Sequence, residues 1–405
     1  MATQIKSTFA IIIDKVEGQQ DRFTIEAKGS DDVHVQPRRF NLSLNAQHQH
    51  TLDLLAEKPT RVSVNEIEAL GQALYQALFV PEVAIAFGEA RQSLAHSQEG
   101  LRIRIQTSID EIARLPWELM HDGQEFIALR SSYPIVRGKR EPVASLRTDV
   151  SGALRILYAW SDPKDLPELR LREPAYQIRD LLSENKRIQF EILENAARDS
   201  LSSSLLNDYH ILCFAGHGTA DHLYLEKDGG HERISAEALA LELEGKPTRL
   251  VFLAACEAGG YTQNNLPGFA QALASQAEVP AVVAMQYEVN DHEANLLTAR
   301  YFEALAKFRP VDAALTEARK AVYDEAQVVR DVFSPVLYLQ SESSRLFRAS
   351  RNLVAIGLGL LALVAVLALA VQSLFFTDTA QIAAARETAQ VEAALRVEAE
   401  AETEA

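Results

Sequence analysis

The feature that most restricts the fold of this chain is a series of short apolar segments that alternate with helical patterns from residue 153 onward. Five short segments are rich in β-forming, mostly apolar residues, and they lie at Leu154–Trp160, Ile188–Leu193, Tyr209–Ala215, Leu250–Ala255 and Val279–Met285. The helical patterns lie at Glu173–Ser183, Ala236–Leu243, Leu266–Ala277 and His292–Ala306. Strands that are apolar on both faces and separated by helices predict an α/β fold, with a mostly parallel sheet covered by helices on both sides.

Composition narrows the partners and the compartment. The formal net charge is −16 and no cluster of Lys and Arg with interleaved aromatic residues occurs, so nucleic acid is not an expected partner. The two cysteines, Cys213 and Cys256, cannot form the disulfide framework of a small secreted protein. The composition therefore favours a reducing compartment for most of the chain.

An uncharged stretch of 26 residues, Asn352 to Thr377, predicts a membrane anchor. It exceeds the about 20 residues that a helix needs to cross a hydrocarbon core, and a buried helix of a soluble domain is seldom apolar on all faces for so long. We therefore expect one transmembrane helix at 353–376 that contacts lipid. Arg345, Arg348 and Arg351 precede it, which predicts a single-pass inner-membrane protein whose large N-terminal part is cytoplasmic.

Two of the predicted strands end at residues with nucleophilic chemistry. His217 follows Tyr209–Ala215 closely, and Cys256 follows Leu250–Ala255. Reactive groups collect beyond the carboxyl ends of parallel strands, so His217 and Cys256 meet if these strands are neighbours. A thiol with a pKa of about 8.5 is mostly protonated at neutral pH, and an imidazole that takes its proton makes it a nucleophile. The glycines that flank His217 allow a sharp turn and leave the Gly218 amide free to face a developing oxyanion.

Two other interpretations of these residues remain open. Cys256 taken alone could be a small buried hydrophobic residue, as we expect for Cys213 in mid-strand. Zinc binding is the competing chemistry, because the densest His and Cys region of the chain contains His210, Cys213, His217, His222, His231 and Cys256. Spacings typical of zinc sites are missing, and His210 and Cys213 lie on opposite faces of a strand, so we expect neither a metal nor a cofactor.

The segments around His217 and Cys256 resemble those of a known family. The sequences at 214–218 (Phe-Ala-Gly-His-Gly) and 253–259 (Leu-Ala-Ala-Cys-Glu-Ala-Gly) are similar to the two signature segments of CHAT domains, caspase-like peptidases related to separase. The sequence at 115–119 (Leu-Pro-Trp-Glu-Leu) resembles a segment that precedes the catalytic half in this family, and by itself it indicates packing. The resemblance spans roughly residues 80 to 340.

The resemblance implies a caspase-like fold and endopeptidase activity, with His217 as the base, Cys256 as the nucleophile and the Gly218 amide in the oxyanion hole. It also places Asp291 in the region that lines the specificity pocket of separase-like relatives, where an acid selects Arg or Lys before the scissile bond. An acid in front of a helix is also an ordinary N-cap. Glu257 could serve the pocket instead, or it could orient His217.

These patterns divide the chain into five regions. We expect an α+β N-terminal region of unknown role at 1–80, the N-terminal part of a CHAT-like domain at 81–148, a caspase-like catalytic domain at 149–342, the transmembrane helix at 353–376 and, at 377–405, an acidic tail that could be a truncated stalk. The expected protein is a bacterial, membrane-anchored cysteine endopeptidase that cleaves a protein substrate after a basic residue. A protein activator, or self-association through the small-xxx-small pair Ala355 and Gly359, would regulate it. A CHAT-like scaffold or signalling module without turnover is the alternative.

Overall fold

The computed structural model describes residues 4–16, 22–29, 33–57, 62–94, 99–138, 148–254, 266–275, 279–287, 289–325, 329–350, 364–369 and 381–396. It divides into two units, Met1–Ala349 and Ser350–Ala405. The strands are β1 (Gln4–Lys15), β2 (Phe23–Lys28), β3 (His34–Phe40), β4 (Glu99–Thr107), β5 (Ile135–Arg137), β6 (Thr148–Val150), β7 (Leu154–Ser161), β8 (Ile188–Leu193), β9 (Ile211–Gly216), β10 (His222–Lys227), β11 (Gly230–Ser235), β12 (Leu250–Leu253), β13 (Ala281–Met285), β14 (Pro335–Leu339) and β15 (Phe347–Ala349).

The helices of the first unit are α1 (Ala46–Glu57), α2 (Val64–Leu78), α3 (Pro81–Ser93), α4 (Asp110–Ala113), α5 (Arg172–Leu182), α6 (Arg198–Ser204), α7 (Ala236–Leu243), α8 (Leu266–Ala274), α9 (Asp291–Ala306) and α10 (Val311–Tyr323). Short 3₁₀ helices lie at Trp117–Leu119, Ile127–Leu129 and Val329–Phe333. Every helix that the sequence predicted between the strands from residue 153 onward is present, with its ends shifted by a few residues at most.

Eleven strands of the first unit form one sheet in the order β3-β2-β1-β4-β5-β14-β13-β12-β9-β7-β8. The strands β8, β7, β9, β12 and β13 are parallel to one another. The strands β1, β4, β5 and β14 are also parallel to one another. The two groups run in opposite directions because β13 and β14 pair antiparallel. The predicted large, mostly parallel sheet is confirmed.

The N-terminal strands extend the same sheet that holds the predicted catalytic strands. Phe9 of β1 lies opposite Ile103 of β4, and Ile103 in turn lies opposite Ile135 of β5. A core that contains Phe9 and Ile103 also contains Leu70 and Leu74 of α2, so this helix covers the N-terminal strands. The domain boundaries expected at residues 80 and 148 thus separate strands that belong to one hydrogen-bonded sheet, and they stay predictions.

Alternating side chains of the central strands fill two cores on opposite faces of the sheet. In β9, Ile211, Cys213 and Ala215 join a core that includes residues of α5, α9 and α10. Leu212 and Phe214 of the same strand join a core that includes residues of α7 and α8. Burial on both faces explains why these strands are apolar along their length, and it confirms the helical layers on both sides.

The second unit contains helical residues at 364–369 and 381–396, whose side chains are exposed. The other residues of the predicted transmembrane helix lie outside the described residues. Within the ranges given above, no single helix combines the length and the apolar composition that crossing a membrane requires; α2 and α3 do so only as a pair bent by 86°.

A close backbone contact joins α2 to the 3₁₀ turn at Trp117–Leu119. A Cβ added to Gly71 would lie 2.1 Å from the Leu119 carbonyl oxygen, and the His121 N–H donates to the Gly71 carbonyl at 3.1 Å. Trp117 is fully buried in this turn, and its Nε1 donates to the Ile112 carbonyl at 2.9 Å. Gly71 therefore serves packing, although glycine weakens a helix interior.

We expect Gly71→Ala to lower the free energy of unfolding by about 2 kcal/mol, because the overlap with the Leu119 carbonyl outweighs the higher helix propensity of alanine. Gly88→Ala in α3 is the matched control, since a Cβ there meets nothing within 4 Å. The control should raise the same free energy by roughly 0.5–1 kcal/mol. Urea unfolding of the full-length chain, followed by tryptophan fluorescence, measures both. Equal effects of the two substitutions would contradict the packing argument.

Candidate functional site

The two strands that precede the predicted catalytic residues are neighbours in the sheet. β9 and β12 pair in parallel with Phe214 opposite Leu253, and the Ala254 N–H donates to the Phe214 carbonyl at 2.9 Å. His217 follows Phe214 by three residues, and Cys256 follows Leu253 by the same three. Neighbouring strands lie about 4.8 Å apart, so the two segments leave the same sheet edge at the same level. Cys256 and Glu257 themselves lie outside the described residues.

The imidazole of His217 is half-buried and is held at one nitrogen. Its Nε2 lies 2.8 Å from the Pro167 carbonyl oxygen. A carbonyl only accepts hydrogen bonds, so Nε2 carries the hydrogen, and Nδ1 is the basic nitrogen of the neutral ring. The Tyr224 N–H donates to the His217 carbonyl at 3.1 Å and ties this residue to β10. This tautomer suits a general base that acts through Nδ1.

The loop that supplies the Pro167 carbonyl is held at its ends and near its middle. Both carboxylate oxygens of Asp162 accept the Leu169 N–H at 3.1 Å, which closes the loop. Oδ2 of Asp165 lies 2.9 Å from Nδ1 of His231 in β11. The hairpin of β10 and β11 therefore supports the loop that orients the His217 ring.

The glycines that flank His217 have different roles. Gly216 lies opposite Ser161 at the end of β9, and an added Cβ would lie 2.8 Å from the Ser161 carbonyl oxygen. Close approach of β7 and β9 requires this glycine, and its backbone does not adopt the left-handed conformation of a sharp turn. Gly218 forms an antiparallel bridge with Leu223. The oxyanion role of Gly218 stays a prediction.

Asp291 is exposed in the first turn of α9, at the same sheet edge as His217. The strand β13, which neighbours β12, ends at Met285, and this helix begins at Asp291. The side-chain oxygen of Asn290 accepts the His292 N–H at 2.9 Å, so Asn290 is the N-cap. The alternative in which Asp291 caps the helix is therefore wrong. The pocket role of Asp291 stays a prediction.

Of the residues considered as zinc ligands, Cys256 lies outside the described residues, and the others are spread along β9, its two ends and the hairpin of β10 and β11. His210 precedes β9 at one end of the sheet, and His217 follows it at the other. Cys213 is fully buried, and burial raises the pKa of its thiol well above the usual value. Among the residues that the structure describes, no group of three or more His, Cys, Asp or Glu side chains is arranged to hold a metal ion.

The residues that support His217 are not predicted by the sequence. Pro167 acts through a backbone carbonyl, which every residue type has. Asp165 and His231 meet across a separation of 66 residues. The dipeptide Asp162-Pro163 is typical of a turn, and it is the local signal that the loop offers. The motif at 115–119 indicates packing, yet its Glu118 is fully buried in an ion pair, which its sequence context does not reveal.

A family model matches well over half of this chain. The model of the CHAT domain covers residues 68–352, which include His217 and Cys256. The chain belongs to the CHAT domain family. A comparison of this CHAT chain with curated protein sequences gives no significant match.

Solved structures of caspase-like cysteine peptidases are similar to the CHAT chain at low identity. Separase of Saccharomyces cerevisiae, in complex with securin, has a TM-score of 0.46 and 12% identity over 82% of this chain and 30% of its own. The Arg-specific cysteine proteinase gingipain R (RgpB) of Porphyromonas gingivalis has a TM-score of 0.42 and 12% identity over 73% and 71%. The Drosophila initiator caspase Dronc has a TM-score of 0.30 and 10% identity over 51% and 88%. The CHAT chain thus spans 30% of the separase chain that it matches.

His210 ties the amino end of β9 to β7. The ring nitrogen Nδ1 of His210 accepts the backbone N–H of Arg155 at 2.9 Å. The backbone N–H of His210 donates to the backbone carbonyl of Arg155, also at 2.9 Å. The residue is 6% exposed. Burial, aided by the nearby Arg155 charge, lowers the pKa of His210 from 6.5 to about 4. The folded CHAT domain therefore keeps this ring neutral at pH values where the unfolded chain protonates it.

This pKa shift predicts a loss of stability in acid. The contribution of neutral His210 is fully present above pH 6.5 and is lost as the pH falls toward 4, because only the unfolded chain binds the proton in that window. We expect a cost of about 2 kcal/mol in the free energy of unfolding between pH 7 and pH 4.5. His210→Gln should remove this part of the pH dependence, and exposed His50→Gln should not. Urea unfolding at several pH values tests it, and an unchanged pH profile in His210→Gln would refute it.

Proposed function

We propose that this CHAT domain is a cysteine endopeptidase in which His217 and Cys256 form the catalytic dyad. The observation that carries the proposal is the register of β9 and β12, in which Phe214 lies opposite Leu253. His217 follows Phe214 by three residues, and Cys256 follows Leu253 by three residues. The contact of His217 Nε2 with the Pro167 carbonyl supports it, since this contact leaves Nδ1 to accept a proton.

In the proposed reaction, Nδ1 of His217 takes the proton of the Cys256 thiol, and the thiolate attacks the carbonyl carbon of the scissile peptide bond. The Gly218 N–H donates to the oxygen on which negative charge develops. When the tetrahedral intermediate collapses, the leaving amine takes the proton from His217, and an acyl thioester stays on Cys256. Water, deprotonated by His217, then hydrolyses the thioester and regenerates the thiol. Neither a metal nor a cofactor takes part.

We further propose that the substrate is a protein with Arg or Lys before the scissile bond. Asp291 supports this because it is exposed at the start of α9, beside the carboxyl end of β13. The partial positive charge at a helix N-terminus stabilises a carboxylate there, and a carboxylate pairs well with guanidinium or ammonium groups. Glu257, which follows Cys256 directly, is the second candidate for this role.

The anchoring proposal is a single-pass helix at 353–376 in the inner membrane of a bacterium, with the catalytic unit in the cytoplasm. The uncharged stretch and the arginines in front of it support this proposal. Within the first unit, the ring of Phe347 in β15 lies 6.4 Å from that of His210, beside the amino end of β9. His217 lies at the other end of this six-residue strand, about 20 Å away. His217 and Phe347 therefore lie at opposite ends of β9 within the first unit.

The proposed dyad predicts a loss of cleavage in two variants of the full-length chain. Cys256→Ala should reduce the cleavage of a proteome extract to background, and His217→Gln should slow it by roughly 10²–10⁴-fold, the usual contribution of a general base. New protein termini identified by mass spectrometry measure the rate and the cleavage sites. Cys213→Ala is the matched control, because the fully buried Cys213 thiol lies in a core and should be dispensable for cleavage.

The same experiment tests the specificity and the scaffold alternative. Sites that fall after Arg or Lys in the parent chain, and lose this preference in Asp291→Asn, support the pocket role of Asp291. Sites after other residues would refute that role and keep the enzyme. No cleavage by the parent chain, with or without cell extract as a source of activator, would favour the scaffold.

The anchor and the proposed regulation by clustering are tested together in membranes. We expect the full-length chain to resist extraction by alkaline carbonate, and crosslinking to capture dimers or larger species. Gly359→Leu should reduce these species, because a bulky side chain separates helices that pack through small residues. Leu361→Ile, a change of shape without added volume, is the control. Release into the carbonate supernatant would refute the anchor, and monomers alone would refute clustering.

A further inference from the structure

The Glu118 carboxylate lies at the centre of a buried polar cluster. Glu118 belongs to the 3₁₀ turn Trp117–Leu119 and is fully buried. Its Oε1 accepts from Nε of Arg137 at 3.2 Å, and its Oε2 accepts from Nη2 of the same side chain. Arg137 ends β5 and is 5% exposed, so both charges are removed from water. A buried pair of this kind is tolerated only when further hydrogen bonds satisfy both partners.

Gln286 completes this cluster from the other half of the sheet. Its Oε1 accepts from Nη2 of Arg137 at 3.0 Å, and its Nε2 donates to Oε2 of Glu118 at 3.0 Å. One amide group therefore contacts both members of the ion pair, each through the atom of matching polarity. The sequence separations are 149 and 168 residues, and Gln286 directly follows β13. The ion pair thus holds the segment that leads to α9.

Gln286, Tyr287 and Asn290 are hydrogen-bonded to Ser334 and to the 3₁₀ turn at Val329–Phe333. The Gln286 N–H donates to the Ser334 carbonyl at 3.0 Å, and the Tyr287 hydroxyl donates to the Arg330 carbonyl at 2.9 Å. The Asn290 N–H donates to Oδ2 of Asp331 at 2.8 Å. Gln286 is the point at which the Glu118 and Arg137 pair joins this chain of contacts, which ends at the N-cap of α9.

We propose that Glu118 and Arg137 are positioning residues of the peptidase site. Through Gln286 they fix Tyr287 and Asn290, and thereby the place of Asp291 and the entrance of the substrate pocket. The proposal rests on the proposed function for the pocket, and it gives the segment at 115–119 a role in substrate binding. Loss of the hydrogen bonds between Gln286 and this ion pair should weaken substrate binding. It should leave the reactivity of Cys256 intact, because the proposed dyad depends on β9 and β12.

The test uses the full-length chain with Gln286→Met, which keeps the side-chain length and removes both hydrogen bonds. This variant is preferred because Glu118→Gln leaves a buried guanidinium without its carboxylate and could fail to fold. We expect kcat/KM for peptides with Arg before the scissile bond to fall about tenfold, mainly through KM. The rate of Cys256 alkylation by iodoacetamide should stay within about twofold of the parent rate. The matched control is Gln340→Met, which alters a side chain that is 4% exposed, beyond the end of β14.

Amide hydrogen exchange tests the inference without any need for catalysis. In Gln286→Met, the peptide that contains Asn290 should exchange about tenfold faster than in the parent chain, whereas Gln340→Met should leave it unchanged. Faster exchange in a chain without peptidase activity would support the positioning of this segment while the proposed function fails. Unchanged exchange, or a fall in kcat with KM constant, would overturn the positioning role even in an active enzyme.

Discussion

The position of the proposed site in this CHAT domain depends on the parallel pairing between β9 and β12. Both strands are buried on both faces, so a shift of one residue would move every side chain into the wrong core. Leu212 and Phe214 pack on one face of β9 and Cys213 packs on the other, and a one-residue shift would exchange these faces. His217 directly follows β9, so its backbone has a fixed position at the sheet edge.

Strand register places the backbone of His217 but does not orient its ring. The Pro167 carbonyl provides the orientation, and because a carbonyl only accepts hydrogen bonds, it favours the neutral tautomer with the hydrogen on Nε2. Ordering the loop that carries Pro167 costs conformational entropy, which the contacts of Asp162 and Asp165 help to offset. The proposed base is thus supported by two carboxylates that have no part in the proposed reaction.

The sequence predicted the buried strands well, because a short run that is apolar on both faces is typical of a strand covered on both sides. It did not predict β3 or the hairpin of β10 and β11, whose partly exposed, polar residues weaken any hydrophobic pattern. The end of the strand in front of His217 was predictable for the same reason, because the apolar run stops there. The partners at Pro167 and Gln286 were not, since contacts between distant segments leave no mark on local composition. The capping role of Asn290 rather than Asp291 depends on where α9 begins, and sequence patterns locate helix ends poorly.

The reversal of strand direction between β13 and β14 explains how Arg137, in the N-terminal half of the sheet, contacts Gln286 at the end of β13. The carboxyl end of β5 lies away from the edge that carries His217, so the side chain of Arg137 extends back along the sheet toward Gln286. If the two groups of strands were parallel, that end would lie at the same edge, where a guanidinium meets water. Here it is buried with Glu118, and removal of any one partner leaves unsatisfied polar groups in the interior. This mutual dependence couples the segment after β13 to the N-terminal strands.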